Sequence, residues 1–184
     1  MSEGADYTFL PVGDGGTAAV AFLRDEVGSY AGAVSDAAIL EARGLKLREI
    51  TPDQYLGFFG NGIAMLESQM AATPDLALKF GRALVRGTRF ASDPANKETA
   101  IAHCAVGNPQ EVEDKDFAAA LLTGVIHRMT PTQAFADQGL GYQPPEHWQM
   151  IYDSSIASGA LEEPLDDLAS VYTNEFVADW NKAE

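Results

Sequence analysis

Three short stretches combine glycine with a small polar side chain in a way that suits ligand recognition. Gly13-Asp14-Gly15-Gly16-Thr17 stands between an apolar segment and an alanine-rich one. Its glycines permit close backbone approach, and a helix that starts there offers free N–H groups to an anion or polar ligand. A tight turn without a ligand accounts for the same residues. The run is neither a Walker A loop, having no Gly-Lys-Ser/Thr, nor a full dinucleotide fingerprint. Ser35-Asp36 offers a hydroxyl and a carboxylate that could hold an amine or hydroxyl of a ligand, or cap a helix and do nothing else. Gly60-Asn61-Gly62 either places the Asn61 amide in a cleft or forms a plain bulge.

Groups that could perform catalysis are scattered. His103, His127 and His147 fall on three separate predicted helices, and none has the His-x-x-x-His spacing of a metal site. Cys104 adjoins His103, but neighbours on a helix point in different directions, so they do not form a nucleophile–base pair. Gly-x-Ser-x-Gly is absent. No catalytic residue, metal ligand or cofactor is therefore assigned, and a non-enzymatic role is expected.

The 184 residues suit one domain or two small lobes. Acids outnumber bases 27 to 12, for a formal net charge of −15. That balance argues against nucleic acid or an anionic membrane surface as partner. A single cysteine excludes an intramolecular disulfide. No apolar run approaches ~18 residues, so no membrane-spanning helix is expected. Residues 1–6 have neither the basic region nor the apolar core of a signal peptide. If Met1 is the true start, the expected location is cytoplasmic.

The elements that would position the glycine-rich turns alternate between strand and helix signals over residues 7–66. Strands are predicted at Thr8–Val12, Ser29–Ser35, Lys46–Thr51 and Phe58–Leu66. Helices are predicted at Thr17–Val27, closed by Gly28, and at Ala37–Arg43, capped by Asp36 and closed by Gly44. Strand–helix–strand order implies a mostly parallel sheet, with Gly13–Thr17 and Ser35-Asp36 at the carboxyl ends of strands and Gly60-Asn61-Gly62 interrupting the last one.

Residues 67–184 carry helix signals almost throughout. An amphipathic helix is predicted at Pro74–Ala91, with Leu76, Phe80, Ala83, Leu84, Gly87 and Phe90 on one face. Further helices are predicted at Lys97–Val106, Asp114–Met129, Pro145–Ser158 and Leu168–Trp180. Lys79, Arg82, Arg86 and Arg89 form a basic stripe that is either solvated or neutralises the acidic end of the chain. From Pro131 onward there are ten acids and one base. Trp148 and Tyr152, four apart, read as core in preference to a ligand cage, and Trp180 as a packing anchor.

The order of these segments resembles the solute-binding proteins of ABC transporters for nitrate, sulfonates, taurine and thiamine precursors, in the branch related to the pyrimidine-precursor synthases of thiamine biosynthesis. The resemblance is carried by residues 9–17, 26–36, 59–65 and 73–84, and by Tyr172-Thr-Asn-Glu-Phe176. It implies a partial type II periplasmic-binding-protein fold of α/β class, a short mostly parallel sheet followed by a helical C-terminal half. Residues 1–66 would form part of the second lobe with the strand returning to the hinge. Residues 67–184 would pack on the first lobe. Gly13, Asp14, Gly15, Gly16, Thr17, Ser35, Asp36, Gly60 and Asn61 would then line an interlobe cleft holding a small polar organic molecule or an oxyanion. The resemblance further implies a periplasmic location and ABC permease subunits as partners.

Family members are roughly twice as long, as two full lobes require. The matching region here starts inside the second lobe. Such a chain would expose apolar helix faces, favouring a homodimer, strand exchange or association with another chain. The alternative reading is accordingly a non-binding interaction module. A thiamine-precursor-type enzyme is a third, opposed by the single cysteine where those synthases carry a cysteine-rich motif.

Overall fold

The computed structural model describes residues 2–12, 20–56, 58, 60, 62–130 and 133–182. The structure is helical. Its α-helices are α1 (Val34–Ala42), α2 (Glu67–Ala72), α3 (Pro74–Ser92), α4 (Lys97–Gly107), α5 (Lys115–Met129), α6 (Pro145–Ser158) and α7 (Val177–Trp180). Helical backbone at residues 20–23 precedes them. The chain divides into two compact units, Met1–Glu49 with Ala95–His127, and Ile50–Pro94 with Arg128–Glu184.

The expected α/β fold, with its short parallel sheet in a partial periplasmic-binding arrangement, is overturned. Among the described residues the only β-pairing is one isolated parallel bridge, between Glu3 and Tyr7. The described parts of Thr8–Val12, Lys46–Thr51 and Phe58–Leu66 form no strand. Val34 and Ser35, expected to end a strand, open α1. The physical reason is that β-propensity describes a residue's fit to a pleated, half-buried surface, and no neighbouring strand supplies that surface. Phe9, which a sheet would bury, is 75% exposed.

In the first unit, helical turns end in backbone motifs set by single residues. Glu26 N–H donates to the Ala21 carbonyl (3.0 Å) and Asp25 N–H to that of Phe22 (3.1 Å). This is the paired bonding of a Schellman motif, with Asp25 at φ +56° in the left-handed position. The helix therefore stops before Gly28. Helix α1 ends likewise, with Leu45 N–H on Leu40 (3.2 Å), Gly44 N–H on Glu41 (2.8 Å) and Gly44 at φ +84°. Asp114 caps α5, its Oδ1 accepting from the N–H groups of Asp116 (3.1 Å) and Phe117 (3.0 Å). The buried apolar residues described in this unit are Leu40 and four alanines, Ala21, Ala38, Ala100 and Ala118.

In the second unit, Pro74 at the first turn of α3 separates it from α2, because the residue before proline is pushed out of helical conformation. Helix α3 packs on α7 through Gly81, Val85 and Thr88, all buried, against Val177 and Trp180. Trp180 Nε1 donates to the Ala77 carbonyl (3.2 Å), and its ring stacks on Phe176 at 5.9 Å between centroids.

The predicted helix Leu168–Trp180 breaks into a 3₁₀ turn at Leu168–Val171 and α7. Tyr172 is extended, and the Asn174 side chain takes a main-chain partner outside any helix. Its Oδ1 accepts from Gln143 N–H and its Nδ2 donates to the Gln143 carbonyl, both at 2.8 Å. Trp148 stacks not on Tyr152 but on Tyr172, with centroids 5.1 Å apart. Its Nε1 donates to Gln143 Oε1 (3.0 Å). The Tyr152 hydroxyl instead accepts from Leu165 N–H (3.3 Å).

The basic stripe of α3 is partly engaged. Arg82 Nε donates to the Asp179 carbonyl (3.3 Å). Arg89 Nη2 donates to the Asn181 carbonyl (3.3 Å) and to its Oδ1 (3.0 Å). Cations thus meet the unsatisfied carbonyls at the C-terminus of α7, where the helix dipole favours them. Among the described residues no helix is long and apolar enough to cross a membrane.

Candidate functional site

The first unit contains an open cleft of about 350 Å³ lined by Leu10, Pro11, Val12, Val20, Ala21, Arg24 and Glu26. Five of the seven are apolar, so the cleft favours an apolar surface on its occupant. Arg24 Nη1 and Glu26 Oε1 lie 4.0 Å apart, with both side chains half or more exposed. An ion pair this open to solvent contributes little to stability, so its donor and acceptor atoms can be exchanged for those of a ligand at small cost. The arrangement sets an apolar surface of Leu10, Val12 and Val20 beside the charged pair Arg24 and Glu26.

Gly13, Asp14, Gly15, Gly16 and Thr17 lie outside the described residues, as does Asn61. Val12 and Val20, the described residues on either side of the first stretch, both line the cleft. Ser35 and Asp36 share the first turn of α1. Ser35 is exposed. Asp36 is 6% exposed, and its Oδ2 accepts from Ala33 N–H at 2.7 Å. That bond satisfies an N–H that helix geometry leaves unpaired, and the charge sits at the favourable end of the dipole. Gly32 stays close by because a side chain there would meet the Tyr30 ring at 2.7 Å and Asp36 Cβ at 3.1 Å. Gly60 belongs to the second unit and has open space around it.

Arg24 and Glu26 are the residues that motif reading passes over. Their signal in the sequence is modest: with Asp25 they form the first charged cluster after an apolar and alanine-rich run that begins beside the glycine-rich turn. His103 and His127 stand on α4 and α5. The His147 ring meets Phe135 edge-on at 5.2 Å. Among the described residues no group of three or more His, Cys, Asp or Glu could hold a metal ion.

The chain is 32% identical over 181 residues to the riboflavin-binding protein RibY of Chloroflexus aurantiacus, a match covering 96% of this chain and 49% of that protein. The chain thus spans about half the length of this curated relative. No family model and no solved structure matches it. The similarity defines a relationship to a binding protein for a small molecule.

Proposed function

We propose that this chain is a solute-binding component of an ABC importer, or part of one, and that it binds a small polar heterocycle of the flavin class without turning it over. One observation carries the reading: the 32% identity to a riboflavin-binding protein, sustained over 96% of the chain. The resemblance of residues 9–17, 26–36 and 73–84 to importer solute-binding proteins supports the transport role. So does the chemistry of the cleft in the first unit. A flavin ring has an apolar edge and a polar edge, and the cleft has apolar walls with an arginine and a glutamate beside them. An importer component of this kind works outside the cytoplasmic membrane and delivers its ligand to permease subunits.

The test is titration of riboflavin with the full 184-residue chain, followed by quenching of flavin fluorescence and by calorimetry. The expected result is saturable binding at one equivalent, with riboflavin recovered unchanged. Failure to saturate at protein concentrations up to about 1 mM overturns the ligand assignment. Chemical conversion of the flavin overturns binding without turnover.

A further inference from the structure

The cleft of the first unit carries its charges in a single turn. Leu10, Val12 and Val20 belong to its apolar wall, and Arg24 and Glu26 are the charged residues that line it. Main-chain bonds hold that turn. Arg24 N–H donates to the Val20 carbonyl (3.0 Å), and after Asp25, at φ +56°, Glu26 N–H returns to the Ala21 carbonyl (3.0 Å). A fixed backbone therefore sets the pair beside the apolar wall.

The two side chains do not satisfy each other. Arg24 Nη1 and Glu26 Oε1 are 4.0 Å apart, beyond the hydrogen-bond range of about 2.7–3.2 Å. Together they offer an occupant a fork of donors next to an acceptor. Charge decides what fits there. An oxyanion on the guanidinium would face the Glu26 carboxylate, and Asp25 adds a second acid to the same turn. An ammonium on Glu26 would face Arg24. A neutral group that presents an acceptor beside a donor meets both partners favourably, and the carbonyl and N–H of a cyclic imide are such a group.

We propose that Arg24 and Glu26 read a cyclic imide edge. Arg24 donates to a ring carbonyl, Glu26 accepts from the neighbouring ring N–H, and the apolar end of the ring lies on Leu10, Val12 and Val20. The assignment rests on the flavin ligand proposed above, whose ring system carries an imide at one end and a dimethylbenzene at the other. It makes the pair the specificity determinant of the cleft, selecting against oxyanions and against rings that lack the N–H.

The experiment titrates riboflavin and N3-methylriboflavin, which lacks the imide N–H, against the full chain and against Glu26→Ala and Arg24→Met. A hydrogen bond to a charged group is stronger than a neutral one. The parent is therefore expected to bind the methylated flavin about tenfold more weakly. Glu26→Ala should lose a similar factor on riboflavin and nothing on the methylated flavin, which levels the two. Arg24→Met should weaken both, since both keep the carbonyl. Both substitutions replace side chains that are half or more exposed, and circular dichroism checks that the variants fold. The comparison of the two flavins on the parent needs no variant.

Equal affinity of the parent for the two flavins overturns the imide assignment and leaves flavin binding standing. An equal loss for both flavins in Glu26→Ala does the same, because the N–H is then read elsewhere. Unchanged riboflavin affinity in Arg24→Met removes the carbonyl contact and with it the assignment. Failure of riboflavin to bind the parent at all overturns the flavin ligand and the imide assignment together.

Discussion

Trp180 occupies the space that a side chain at Gly81 would need. A methyl group at Gly81 would overlap the indole at Cε2 and Nε1, and the same indole nitrogen donates to Ala77 one turn earlier on α3. Glycine costs an exposed helix interior about 1 kcal/mol relative to alanine. At position 81 that cost is offset by close approach of α7, which buries Val177 and Val85, each worth roughly 1.5–3 kcal/mol.

Gly81→Ala is therefore expected to destabilise the protein by about 1–3 kcal/mol, the usual cost of overpacking, despite the better helix propensity. Gly87→Ala, on the same helix with open space around it, is expected to stabilise by up to about 1 kcal/mol. Urea unfolding of the two variants measures the contrast. Equal effects would show that α7 does not rest on Gly81.

Asn181 ties three segments of the second unit together. Its Oδ1 accepts from Leu140 N–H (3.1 Å) and from Arg89 (3.0 Å). Its Nδ2 donates to the carbonyls of Leu140 and Val177, each at 2.9 Å. Gly139, at φ +89°, leaves room for the amide group, which would lie 2.7 Å from a side chain there. Asn181→Ala leaves part-buried main-chain groups without partners and should cost about 1–3 kcal/mol. A double-mutant cycle with Arg89→Ala should return a coupling of about 0.5 kcal/mol or more. Strict additivity would remove Arg89 from the network.

These two relationships mark where the sequence is readable and where it is not. Helices α3, α4, α5 and α6 lie within a residue or so of their expected bounds. Their signals are local: Pro74 and Pro145 at first turns, Asp114 as a cap, Gly159 at φ +73° after α6. The strands were not readable, because β-formers such as Phe9 or Ile63 declare a preference whose outcome depends on a distant partner. Leu76, Phe80 and Leu84 share a face of α3 as expected and are exposed there, since periodicity gives a face but not what covers it. At the candidate site, the capping role that Asp36 plays is one of the two alternatives its position in the sequence offers. Arg24 and Glu26 belong to no motif, and only the structure brings them beside Leu10, Pro11, Val12, Val20 and Ala21.

Asp179 and Lys182 form a close ion pair at the end of the chain. The hydrogen bond and charge of Lys182, helped by Arg82, hold the Asp179 carboxyl below its ordinary value. A carboxylate with a lowered native pKa contributes stability above the unfolded-state pKa of about 3.9. That contribution disappears as pH falls through the native value. In Lys182→Met, the Asp179 carboxyl followed by NMR should titrate at higher pH than in the parent. An unchanged midpoint would assign the shift to Arg82 instead.

The two Schellman ends of the first unit give a matched pair of predictions with opposite signs. Both need a residue in the left-handed region, and α1 uses Gly44 where the preceding helical turn uses Asp25. A non-glycine residue there carries a steric cost of order 1 kcal/mol, lower for Asp than for most. Asp25 adds a negative charge at a helix C-terminus, where the dipole is already negative. Asp25→Gly removes both penalties, so stability should rise by a few tenths to about 1 kcal/mol. Gly44→Ala imposes the steric cost and should lose about 1 kcal/mol. Part of the Asp25 gain should fade in high salt, because its charge component is screened, whereas the Gly44 loss is steric and should not change. Thermal melts of both variants at low and high ionic strength separate the two components. A salt-independent gain at Asp25 would leave sterics alone as its cause.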